Sequence, residues 1–141
     1  MSNILDDVKP IKIGERIIRS KEQVRLFKDV VVNSTTDMYE SEPLNVEAFR
    51  EFLLYLNIDS TLAPTTLRVL VQWANKVTGK WHTFKQGLFA SLFWEDADTA
   101  SGVNECFKGQ CDGRIFRVKL LGVGVTATAY FTVSASVEFR D

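Results

Sequence analysis

Few side chains in this sequence carry reactive chemistry, and each has to be weighed with its neighbours. His82 is the only histidine. A nucleophile relay needs a serine or cysteine held by a base and an orienting acid, and no glycine-framed serine or nucleophile elbow accompanies it. His82 therefore reads as a surface histidine on a strand. Cys106 and Cys111 fall in the segment ECFKGQCDG. A four-ligand zinc site would need two further ligands, and the single histidine makes that a poor fit. A disulfide would close a short hairpin if paired strands brought the Cα atoms within about 7 Å. Two reduced thiols are the preferred reading for a cytosolic product. Glu95, Asp96 and Asp98 offer oxygens to a hard cation but lack the spaced ladder and closing glutamate of an EF-hand, so a solvated acidic loop explains them as well. Trp73, Trp81 and Trp94 would make a stacking platform for sugar rings if they were exposed. Against that, Trp73 shares a strand face with Leu67, Val69 and Val71, and Trp94 ends an apolar run, so both look like core. Phosphate-cradling glycine loops, dinucleotide fingerprints and internal repeats are absent from the sequence. The sequence thus assigns no catalytic, cofactor or metal residues.

Composition narrows the class further. The 141 residues fit one domain, and 45% hydrophobic with 25% charged is a globular balance. A formal charge of −1 without a Lys/Arg run argues against nucleic acid as the main partner, since phosphate neutralisation needs a concentrated basic face. No stretch approaches the roughly 20 apolar residues of a membrane span, and the first residues lack the apolar segment of a signal peptide. A soluble protein made in the cytoplasm is expected.

The elements that would position these residues read as strands. Phe52, Leu54, Leu56 and Ile58 alternate along one stretch, and Leu67, Val69, Val71 and Trp73 along the next, with turn-forming residues 59–64 between them. Lys80 to Phe84 and the apolar run 88–94 predict two more strands, followed by a surface loop over 95–102. Phe116, Val118 and Leu120 alternate with Arg117 and Lys119 as in a half-buried strand, and a turn is expected at 122–124. Ala129, Phe131, Val133, Ala135, Val137 and Phe139 alternate with Ser134, Ser136 and other polar residues over a strand expected from residue 127. Val30 to Val32 begin the first clear strand. Seven or eight such strands predict an all-β domain, a two-sheet antiparallel sandwich of jelly-roll type. Residues 1–28 are charged, are interrupted by Pro10 and Gly14, and scatter isoleucines with no clear period. They read as an extended N-terminal arm preceding a sandwich domain of residues 29–141.

The stretches FREFLLYLNID, TTLRVLVQW, TGKW, GRIFRVKL and TATAYFTVSASVEF together resemble the small β-sandwich decoration, or cement, proteins of tailed bacteriophages. The likeness spans roughly residues 46–140 and rests on strand and turn patterns. It implies a non-enzymatic virion protein that binds the major capsid protein on the capsid exterior, as a trimer or other small homo-oligomer, and stabilises the mature shell. It brings no catalytic residues with it, no cofactor is expected, and the composition already speaks against nucleic acid and membrane as partners. Ile4, Leu5, Ile11, Ile13, Ile17 and Ile18 in the arm, with Phe93 and Trp94 in the aromatic segment, are the expected contact residues. A tail or head-to-tail connector subunit and a carbohydrate-binding sandwich module are the alternatives.

Overall fold

The computed structural model describes residues 14–20, 23–37, 39–60, 66–83, 94–96 and 102–141. Its strands, in chain order, are β1 (Arg16–Ile17), β2 (Gln23–Val32), β3 (Tyr39–Glu40), β4 (Leu44–Asn45), β5 (Glu51–Ser60), β6 (Thr66–Ala74), β7 (Trp81–Thr83), β8 (Trp94–Asp96), β9 (Val103–Gln110), β10 (Ile115–Val123) and β11 (Phe131–Arg140). They form two packed sheets. One has the order β2-β11-β5-β9; the other runs β1-β4-β10-β6-β7, with β3 also on β10 and β8 also on β6.

This connectivity is that of a long hairpin wrapped around a core. β2 pairs with β11, β3 and β4 with β10, β5 with β9, and β6 with β7 and β8, all antiparallel. Apart from β1, first meets last, and the pairing works inward until neighbours in sequence meet, which is jelly-roll topology. The sandwich read from the alternation is therefore the fold. The sole departure from antiparallel pairing among the described strands is β1, which lies parallel to β4.

The alternating residues face each other across the sheets as the patterning requires. Leu54, Val69, Val118 and Val137 are completely buried, and Phe52, Phe116 and Phe139 are within 1% of it. Burying a side chain of this size contributes about 1.5–3 kcal/mol, so the repeated pattern supplies the main driving force. Three rings meet Phe116: Phe52 at 5.3 Å, Trp73 at 5.4 Å and Phe139 at 5.4 Å between ring centroids. Two glycines make room for this cluster. A Cβ on Gly109 would lie 2.2 Å from Phe52 Cζ, and one on Gly113 would lie 2.9 Å from Trp73 Cε3.

Several boundaries differ from the sequence expectation. The division after residue 28 falls inside β2, whose Val24 and Phe27 are 3% and 6% exposed. Ile18 is likewise buried in the core cluster, so the sandwich already begins before residue 20. Residues 1–13 lie outside the described residues. The last strand starts at Phe131 rather than at 127, because the Thr126 amide donates to the Ala129 carbonyl at 2.8 Å and closes a bend there. β10 continues through Gly122 and Val123, and the turn comes at Gly124, whose φ of +67° suits glycine. Glu95 and Asp96 belong to β8 and not to a loop. β9 has no counterpart among the strands expected from the sequence.

The glycine under Phe52 gives a direct check. Gly109→Ala should lower stability in urea unfolding by about 1–3 kcal/mol, since Phe52 has no space to retreat. The neighbouring exposed Gln110→Ala should stay within about 0.5 kcal/mol of wild type.

Candidate functional site

The chemically suggestive residues do not converge. His82 sits exposed on β7 with Trp73 as its cross-strand partner. Glu95 and Asp96 pair in β8 with Arg68 and Leu67, and Asp98 is outside the described residues. Trp73 is 8% exposed and its indole nitrogen has no hydrogen-bond partner among the described residues. This fits the core role expected from its position. Trp94 is placed in β8 opposite Val69. The three tryptophans hence do not supply the exposed sugar platform, since one of them is part of the core.

Trp81 has a different task. The Arg117 guanidinium lies 4.1 Å from the Trp81 ring centroid. Arg117 Nε donates to Gln72 Oε1 at 2.8 Å, Nη1 donates to Glu40 Oε2 at 2.8 Å, and Gln72 Nε2 donates to Thr83 Oγ1 at 3.2 Å. The ladder crosses β3, β10, β6 and β7 in turn. Its two central members are poorly accessible: the Arg117 side chain is 13% exposed and Gln72 7%. Burial pulls the Arg117 pKa below its ordinary value, and the Glu40 carboxylate opposes that shift. Two guanidinium nitrogens and the Gln72 amide are thus engaged within the protein, so the ladder closes the outer face of the seven-stranded sheet and offers little to a ligand.

The outer face of the four-stranded sheet is different. β2 carries two irregularities against β11: Leu26 is an extra residue between the Arg25–Ser136 and Phe27–Ala135 pairs, and Lys28 with Asp29 oppose Ser134 alone. Beside them lies a hollow of about 400 Å³ lined by Gln23, Arg25, Lys28, Asn57, Ser134 and Ser136, among others. Arg25 and Lys28 are exposed, and neither is ion-paired among the described residues. None of these stands out as a site residue in the sequence. The polar side of the β11 alternation shows the serines, but the bulges that set Arg25 and Lys28 beside them have no sequence signature.

A second feature is the rim where the chain enters the sandwich. The Arg16 amide donates to the Pro43 carbonyl and the Ile18 amide to the Asn45 carbonyl, each at 2.9 Å. Glu15 Oε1 lies 2.9 Å from Lys76 Nζ in the β6–β7 turn. The hydrogen bond from Lys76 is the main reason the Glu15 carboxyl sits below its usual pKa. Of the expected contact residues, Ile17 is 55% exposed at this rim while Ile18 is 2% exposed. Ile18 is thus a fold residue, inaccessible to a partner. Ile4, Leu5, Ile11, Ile13 and Phe93 are outside the described residues.

The two cysteines are free and differ in setting. Cys106 is exposed on the outer side of β9, opposite Tyr55. Cys111 packs against the core, and burial, reinforced by Asp112 and Glu51, pushes its pKa up to about 12. No protein-family model matches the chain, and no curated protein matches its sequence.

Thiol titration should separate these cysteines. At mildly alkaline pH one thiol, Cys106, should react promptly, and Cys111 should react fully only after unfolding. An unfolded cysteine loses its proton near pH 9.0, whereas the folded state holds the Cys111 proton to about 12. Stability from this group is therefore intact below the lower value and should fall as pH rises between the two. Cys111→Ala should flatten that part of the urea-denaturation profile.

Proposed function

We propose that the protein is a non-enzymatic structural component of a tailed-bacteriophage virion. Made in the host cytoplasm, it binds the major capsid protein on the capsid exterior as a small homo-oligomer, a trimer on the pattern of the proteins it resembles, and stabilises the mature shell. The observation that carries this reading is the anchored rim. Backbone bonds from Arg16 and Ile18, the buried Ile18 side chain and the Glu15–Lys76 pair hold the chain firmly at residues 15–18. The segment before that point contains Ile4, Leu5, Ile11 and Ile13. The jelly-roll sandwich and the resemblance of its strands to decoration proteins support the same reading.

The energetics suit attachment by many weak contacts. Each isoleucine buried on a partner contributes about 1.5–3 kcal/mol, against about 1–2 kcal/mol of backbone entropy per residue ordered. The surplus per chain is small. Joined in an oligomer, two or three such segments bind far more tightly than one.

Removing residues 1–13 should leave a chain that melts cooperatively near the full-length temperature and sediments with purified capsids at least about tenfold more weakly. Equal decoration by the truncated chain would move attachment onto the sandwich surface. No co-sedimentation by the full-length chain would overturn the capsid assignment.

A further inference from the structure

The hollow on the four-stranded sheet is independent of the capsid reading. It owes its shape to the two irregularities in β2, and bulges of this kind increase local twist and re-aim side chains. At the second of them, Asp29 holds a φ of +47°, a region that non-glycine residues seldom occupy. The conformation is retained by a reciprocal pair of bonds. The Asp29 amide donates to Ser134 Oγ at 2.9 Å, and Ser134 Oγ donates to Asp29 Oδ1 at 3.1 Å. Backbone strain that the surroundings hold in place is common where a ligand is clamped.

We propose that this hollow binds an acidic saccharide, a sugar ring bearing a carboxylate. Arg25 and Lys28 receive the carboxylate, and Gln23, Asn57 and Ser136 bond the ring hydroxyls. The volume of about 400 Å³ lies in the usual range for a small-ligand site. A guanidinium donates to a carboxylate in a bidentate fork, and a neighbouring ammonium adds a point charge. Asn57 donates its amide to Asn104 Oδ1, which leaves its carbonyl oxygen as an acceptor. The Ser136 hydroxyl and the Gln23 amide have no partner among the described residues. Such neutral donors and acceptors match hydroxyl groups, for which a bare anion has no use. The Asp29 carboxylate beside them disfavours phosphate, with its higher charge, more than a singly charged sugar acid.

The full-length protein would be titrated calorimetrically with oligomers of galacturonic, glucuronic and N-acetylneuraminic acid, with neutral galactose oligomers, and with inorganic phosphate. At least one acidic oligosaccharide should bind about tenfold or more tightly than the neutral one and than phosphate, and added salt should weaken it. Arg25→Ala should lose about tenfold or more of that affinity with an unchanged melting temperature, and Ser136→Ala severalfold. If Arg25→Ala melts early, Lys28→Ala gives the same reading. Absence of binding by all three acids would overturn the proposal. So would equal binding of neutral sugar, equal binding of phosphate, or unchanged affinity in both cation variants. Loss of capsid attachment on removing residues 1–13 leaves these affinities unchanged if the two surfaces are separate.

Discussion

The packing of Phe116 against Phe52, Trp73 and Phe139 sets much of the remaining architecture. These rings come from β10, β5, β6 and β11, so a single cluster ties the two central strands of one sheet to the two central strands of the other. Rings at 5.3–5.4 Å in tilted or edge-on arrangements contribute beyond their buried area. They also need space, and the stretch 109–113 provides it. Gly109 lies under Phe52 and Gly113 beside Trp73, with Cys111 packed against the core between them. The glycine and cysteine spacing that invites a metal or hairpin reading is, physically, a seat for aromatic side chains. Neither glycine has to be there for a turn.

How much of this is legible in the sequence follows from where alternation survives. β5, β6, β10 and β11 keep strict period two because they are central strands with one face against the core. β2 does not. Its two irregularities place Val24, Phe27 and Val30 on the inner side, a spacing of three that a periodicity argument cannot tell from a helical face. For that reason residues 23–28 read as part of an arm. β9 escapes notice for another reason. Its inward positions opposite Leu56, Leu54 and Phe52 are Glu105, Phe107 and Gly109, only one of which is a large apolar residue. An edge strand that leaves its packing to the neighbour's ring has no hydrophobic pattern to read. The proposed ligand hollow is less legible still, because Arg25 and Lys28 approach the serines of β11 only through those same irregularities.

The two outer faces are handled in contrasting ways. On the seven-stranded sheet, Arg117 is held by Glu40, Gln72 and Trp81 and is largely removed from water. A cation in that position is costly unless it is paired and hydrogen-bonded, and these partners do both. Leu70 and Gln72 on the same side of β6 are each 7% exposed, so this face behaves as a second, minor interior. On the four-stranded sheet, Arg25 and Lys28 remain in solvent without a carboxylate partner among the described residues. Stability gains little from charges so placed.

That asymmetry bears on what each region is for. Ser41 serves the fold and is both buried and saturated: its hydroxyl accepts the Val118 amide at 2.8 Å, and its own amide donates back to the Val118 carbonyl at 2.9 Å. The hollow has the opposite character: Asp29 is held in place by Ser134, while Arg25 and Lys28 have no ion-pair partner, and Gln23 and Ser136 no hydrogen-bond partner, among the described residues. A surface hydroxyl or guanidinium left unpaired costs nothing while water solvates it, and it gains only when a partner replaces that water with better-directed acceptors. The rim at residues 15–18 combines both characters within four residues, with Ile18 committed to the core and Ile17 left outside. Commitment of one isoleucine fixes the backbone of the other, so Ile17 is presented from a defined point on a rigid body, and a contact made there carries a smaller entropic cost than one made by a free chain.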